Sequence, residues 1–233
     1  QYTGSKTPRM STQGIELTFA VNHLSHFYLT QNILPLIDKN NDPKIFITSS
    51  EVHNPKSSGG KVGAKASLGK LAGLASGEEF DMIDGSQFNA DKAYKDSKLC
   101  NILFAKELSI RFPKYKTIAW APGLVIPKDS NGFFRYSRTY NQIGYFIFAL
   151  LARDIFGISE TVENAGEILS RLASDYNITE TSFIYISNKL VSLRKHSLLP
   201  SEVSKEGNDR KLSERLWDIS DQIVQKAMSG KYL

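Results

Sequence analysis

A single cysteine, Cys100, in 233 residues excludes an intrachain disulfide and any metal site built on several thiolates. A phosphate cradle is missing as well. No Gly-x-Gly-x-x-Gly occurs, and Gly59-Gly60 and the Gly69 to Gly73 stretch do not sit between a strand and a helix as such a cradle requires. Long hydrophobic runs are also absent. The richest, Ile143 to Ala152, is about half of the ~20 residues a bilayer span needs, and reads as a buried or membrane-surface helix. Charge of one sign is in mild excess, +5 with the basic residues scattered, which argues for solubility and against a nucleic-acid footprint. No signal or transit pattern opens the chain, no internal repeat is found, and the start at Gln1 rather than methionine fits either a longer precursor or a truncated record. What is present, 41% apolar and 23% charged residues, suits a globular fold with a sizeable core.

The periodicity predicts alternating helices and strands. Apolar residues recur at helical spacing from Ile15 to Ile37, with Asn22, His23 and His26 embedded. Asn22 on a buried face calls for a polar partner. The two histidines, without a third ligand nearby, suit a packed face better than a metal pair. After the breaker Asn40-Asn41-Asp42-Pro43, the run Lys44 to Ser50 reads as a buried parallel strand ending in hydroxyls. Ligands of open α/β sheets lie beyond such strand ends, which is where Ser49 and Ser50 stand. Residues 51–90 form a long irregular insert with spaced apolar residues, a length that in compact domains usually serves function. A helix follows to about Phe112. Then come a strand at Thr117 to Ala121 closed by Pro122-Gly123, an aromatic-rich helical region, a helix capped by Ser159, and a strand at Ser182 to Asn188. A polar loop leads to an amphipathic closing helix from Asp209 to Met228. This alternation belongs to a parallel α/β sheet.

Tyr94 and Lys98 stand four apart on the middle helix, hence on one face. An ammonium beside a phenol favours the phenolate, so the pair suits a pocket that moves a proton near neutral pH. Taken alone, the spacing fits a core aromatic with a solvated lysine better than it fits a catalytic pair.

Four features in order on their expected elements resemble the short-chain dehydrogenase/reductase superfamily: Asn22 in Val-Asn-His-Leu-Ser-His-Phe, Ser50 at a strand end, Tyr94-x-x-x-Lys98, and Pro122-Gly123. The resemblance implies catalytic roles. Tyr94 would be the proton donor, with Lys98 lowering its pKa and holding the nicotinamide ribose. Ser50 would orient substrate or Tyr94, and Asn22 would position a water leading to Lys98. Pro122 and Gly123 would border the cofactor. The fold implied is α/β, the C-terminal part of a Rossmann-type doubly wound parallel sheet lacking its first strands and glycine-rich loop, with Lys44–Ser49 as an unpartnered edge. Residues 1–233 would be one partial NAD(P)-binding domain, with an insert at 51–90 and a substrate-side helical region at 128–175.

Within that superfamily the insert resembles light-dependent protochlorophyllide oxidoreductases. Lys65-Ala66-Ser67-Leu68-Gly69-Lys70-Leu71-Ala72-Gly73-Leu74, Met82-Ile83-Asp84-Gly85-Ser86-Gln87-Phe88 and Lys92-Ala93-Tyr94-Lys95-Asp96-Ser97-Lys98-Leu99-Cys100-Asn101 carry the likeness. It implies NADPH as cofactor, protochlorophyllide as partner, no metal and a plastid location, with peripheral membrane association and homo-oligomers left open. Leu124, Phe133 and Tyr136 would face the pigment. Two positions depart from the family. Leu124 stands where it carries cysteine, and Ile126-Pro127-Lys128 lacks a cofactor-touching threonine. A light-independent reductase of a lipophilic carbonyl and a pigment-binding homologue without turnover therefore stay open as alternatives.

Overall fold

The structure, a computed structural model, describes residues 2–77, 80–128, 134–174 and 183–230. Three β-rich runs become parallel neighbours: β1 (Lys44–Thr48), β2 (Lys116–Ala121) and β3 (Phe183–Ser192), with Thr48 opposite Trp120 and Ala121 opposite Ser187. The polar stretch after Asn188, expected as a loop, instead continues β3 and returns as β4 (Lys195–Pro200), antiparallel to it. Lys195-His196-Ser197 has no apolar alternation to announce a strand. Pairing with β3 through a turn at Arg194, whose φ is +61°, makes it one. The sheet, in the order β1-β2-β3-β4, is therefore mixed. β1 pairs only with β2 among the described residues and forms an edge, as expected.

The helical run from Ile15 divides into α1 (Leu17–Phe19) and α2 (Ser25–Ile33), joined by a π turn at Ala20–Leu24. Such turns insert a residue and concentrate at functional sites; this one carries Asn22 and His23. α3 (Ala90–Arg111) starts where the Asn89 side chain accepts from the Lys92 amide at 2.9 Å. Next come α4 (Arg135–Tyr140) and α5 (Gln142–Ala149), α5 running on through a second π turn, Leu150–Ile155. α6 (Val162–Ser174) is capped by Thr161, not Ser159. Thr161 Oγ1 accepts from the Asn164 amide at 3.1 Å, two residues nearer the first helical turn than Ser159. α7 (Arg210–Met228) begins at Asp209, whose carboxylate accepts from the Leu212 amide at 3.1 Å.

Both faces of the sheet are covered. Ile47, Ala119, Ala121 and Tyr185 pack under α3 and α7 with Leu99, Leu103, Leu108, Leu216 and Trp217. Ile118, Trp120 and Ile186 meet Leu172 of α6 on the other face. Among its described residues the insert contains only short 3-10 turns, yet Leu68, Leu71, Leu74 and Met82 are buried core. Lys92 clamps the insert to α3, donating to the Ser67 carbonyl at 2.6 Å and pairing with Asp96 at 2.5 Å and Asp84 at 2.9 Å. The run Ile143 to Ala152 lies at the surface, with Ile143, Phe146 and Ile147 exposed while Ala149 and Ala152 face inward. No described helix is long and apolar enough to cross a membrane.

Candidate active site

The ends of β1 and β2 and the first turns of α3 meet at one edge of the sheet. The Ser49 amide donates to the Trp120 carbonyl at 2.8 Å, and the Ser49 hydroxyl to the Lys98 carbonyl at 3.0 Å. Ser49 thus fastens α3 to the strand tip. Ser50, next in the chain, is hydrogen-bonded to the Tyr94 hydroxyl. Lys98 Nζ lies 5.7 Å from the Tyr94 ring centroid and donates to the Thr48 carbonyl at 3.2 Å. Asn22 Nδ2, from the π turn, donates to Ser97 Oγ at 2.9 Å, and that hydroxyl donates to the Tyr94 carbonyl at 2.7 Å. The polar partner that a buried asparagine requires is therefore α3 itself, between Tyr94 and Lys98.

The electrostatics differ from the sequence expectation in one respect. Tyr94 is not drawn toward the phenolate. Burial pushes its phenol up to about 12, with only the Ser50 hydrogen bond working against the rise. Burial also lowers Lys98 to about 8. Desolvation disfavours the charged form of each group, and at 5.7 Å from the ring the ammonium does not overcome it for Tyr94. The resting pair is a protonated phenol beside a lysine still mostly cationic at pH 7, which equips Tyr94 to give a proton rather than to take one.

Two supporting residues escape a reading of the sequence. Asn101 Nδ2 donates to the same Thr48 carbonyl at 3.0 Å; its place three residues after Lys98 on a buried helix face was the available signal. His53 Nδ1 meets the Ser50 carbonyl at 2.7 Å, and the Ser204 amide donates to His53 Nε2 at 3.4 Å, which sets the tautomer with the proton on Nδ1. Burial lowers His53 to about 4, so it is neutral here. No local pattern in the sequence marks it.

The remaining sequence candidates divide. Pro122-Gly123 follows β2 at the same edge as Ser50, with Gly123 at φ +86°; a Cβ there would lie 3.0 Å from the Asn188 carbonyl oxygen, so this backbone must stay bare. Leu124 is half-buried against Ile126, Phe134, Ala149 and Ala152. Tyr136 lies under the guanidinium of Arg135, 4.6 Å from its ring centroid, with that of Arg9 at 5.5 Å. Phe133 lies outside the described residues. His23 packs against Phe19 and meets Ser220 Oγ at 2.9 Å, and no cluster able to hold a metal occurs among the described residues. Cys100 is fully buried.

No family model matches the chain. It is 30% identical over 228 residues to a chloroplastic protochlorophyllide reductase of Cucumis sativus, covering 94% of this chain and 54% of that protein. Protochlorophyllide reductase A of Arabidopsis thaliana gives 30% over 228 residues, with 93% and 53% covered. Protochlorophyllide reductase B of Hordeum vulgare gives 29% over 229 residues, with 94% and 55% covered. The chain spans about half the length of these relatives. The crystal structure of an uncharacterized protein from Mycobacterium paratuberculosis matches with a TM-score of 0.58 at 20% identity, over 94% of this chain and 62% of that one, and shares the fold. By sequence the chain is similar, over about half of their length, to protochlorophyllide reductases.

Proposed function

We propose that the protein reduces protochlorophyllide to chlorophyllide with NADPH under light, as a plastid enzyme. The observation that carries this reading is the union of Ser50, Tyr94 and Lys98 at one sheet edge, in a chain whose relatives bear that enzyme's name. The residues present suit the nicotinamide end of the cofactor. Lys98 Nζ gives one hydrogen bond to Thr48, leaving two N–H groups for a ribose diol, and Gly123 offers backbone without a side chain. NADPH, when bound there, would supply the hydride for one carbon of the excited pigment's ring D. Tyr94 Oη gives its proton to the neighbouring carbon. Ser50 holds the phenol in place, and the Lys98 ammonium stabilises the phenolate left behind. Asn22, through Ser97, fixes the first turns of α3 so that Tyr94 and Lys98 keep their spacing.

The test is an assay of the full chain with NADPH and protochlorophyllide, kept dark and then given a flash. Conversion after the flash alone supports the reading; binding without conversion, or no binding, overturns it. One observation favours a second reading, a light-independent reductase of a lipophilic carbonyl. Leu124 adds an apolar wall beside Phe134 and has no proton to deliver. Oxidation of NADPH in darkness with an aldehyde such as retinal would favour that reading.

A further inference from the structure

A second buried polar cluster lies behind the Pro122-Gly123 turn, built from three separate elements. Asn188 on β3 is 2% exposed and Glu160, just before α6, is 7% exposed. Asn188 Nδ2 carries two hydrogens and has two acceptors, Glu160 Oε2 at 2.9 Å and the Pro122 carbonyl at 3.3 Å. The other carboxylate oxygen, Glu160 Oε1, accepts from the Thr161 amide at 2.8 Å and from Asn164 Nδ2 at 3.1 Å. His196 Nδ1 stands 3.8 Å from Oε2, while its Nε2 meets the Ile158 carbonyl at 3.3 Å. The backbone closes the arrangement. The Glu160 amide donates to the Leu124 carbonyl at 2.7 Å, and Val125 bridges Glu160 in parallel register.

We propose that Glu160 is a positioning residue for the segment Pro122–Leu124, acting through Asn188. A carboxylate has no hydrogen to offer, so Glu160 leaves the Asn188 amide one orientation, with its NH2 toward both Glu160 and Pro122. A group at position 160 able to donate removes that constraint. The Asn188 amide then turns over and sets its carbonyl oxygen against that of Pro122. Two oxygens 3.3 Å apart with no hydrogen between them repel, and the turn moves away. The carboxylate thereby fixes, at one remove, where the bare backbone of Gly123 presents itself to a ligand. The effect on cofactor binding rests on the functional reading above; the effect on the turn does not.

The experiment compares Glu160→Gln with the double variant Glu160→Gln/Asn188→Asp, in the full chain. In the double variant the glutamine donates to the new carboxylate, which rejoins β3 to α6, but Pro122 still faces an oxygen. Three quantities are read: the melting temperature, hydrogen exchange at the amide of residue 160 (the reporter of its bond to Leu124), and the Kd for NADPH. Loss of one well-placed hydrogen bond is expected to raise exchange about tenfold in the single variant and to lower its melting temperature. In the double variant the melting temperature recovers while exchange and Kd stay raised. A purely structural role restores all three together, and that result overturns the proposal, as does unchanged exchange in the single variant. If Glu160→Gln does not fold, Asn188→Ala, which deletes both donors, is expected to give the same rise, and no rise there is equally fatal. A wild-type chain that binds no NADPH counts against the functional reading, while the exchange comparison still decides the role of Glu160.

Discussion

Lys98 and Asn101 donate to one and the same carbonyl oxygen, that of Thr48, at 3.2 and 3.0 Å. Thr48 is the last residue of β1, so both side chains pull α3 onto the strand tip immediately before Ser50. Because the lysine is anchored by its charged end, its reach is fixed rather than free. This is the form of rigidity a proton-transfer site needs, since a displacement of about 1 Å can cost 100-fold in rate.

Tyr94→Phe removes the hydroxyl proposed as proton donor and leaves the ring. Flash-driven conversion is expected to fall by at least about 100-fold, with the melting temperature nearly unchanged. Conversion within a few-fold of wild type would remove Tyr94 from the chemistry.

Burial holds Lys98 at about 8. The ammonium is present below that value and lost above it. NADPH affinity is therefore expected to weaken as pH rises through about 8, and Lys98→Arg, which keeps its charge at every accessible pH, flattens that limb. An affinity equally strong at pH 7 and pH 9.5 would contradict the role given to the charge.

His53 is lowered to about 4 by burial, against the Ser50 hydrogen bond. Between pH 6.5 and 4 the unfolded chain takes up this proton and the folded chain does not, so stability falls as pH falls. His53 alone accounts for roughly 3 kcal/mol across that window. His23, lowered to about 3 by burial, adds in the same direction, whereas Asp96, raised to about 7 by burial against Lys92, opposes both. His53→Asn retains a donor for the Ser50 carbonyl and is expected to flatten the acid slope in denaturant titrations at pH 4.5 and 6.5. An unchanged slope would mean that His53 titrates normally.

Lys92→Met leaves the Ser67 carbonyl without its lysine donor and Asp96 without its cation. A loss of about 2 kcal/mol is expected, together with faster proteolysis between Val62 and Ser67. A loss confined to global unfolding, with no local cleavage, would show that the insert does not depend on this clamp.

Leu124→Cys is expected to raise conversion several-fold if a thiol at this position delivers or supports a proton. No gain would leave Leu124 as wall alone.

Much of this was legible in the sequence because it is local. Helical spacing gives α3 and α7 nearly to the residue, and β-branched runs between breakers give β1 and β2. Tyr94, Lys98, Ser50 and Asn22 were singled out by the resemblance of their motifs to a known superfamily, since their positions on those elements do not by themselves mark a site. What was not legible depends on distant partners. β4 is polar and is a strand only because β3 pairs with it. Thr161 replaces Ser159 as cap because the chain enters α6 two residues later. His53 owes its role to the Ser50 carbonyl and the Ser204 amide, the latter 151 positions further along the chain. The direction of the Tyr94 shift was misjudged because spacing reveals a neighbouring charge but not how much water is excluded around it.

The most direct test follows the Tyr94 phenol itself, by carbon-13 at Cζ in selectively labelled protein as pH is raised to 10.5. A phenol buried and held by Ser50 stays neutral there, and Ser50→Ala does not bring its ionisation any lower. A midpoint at or below 10, unaffected by Ser50, would contradict a buried proton donor joined to the strand tip.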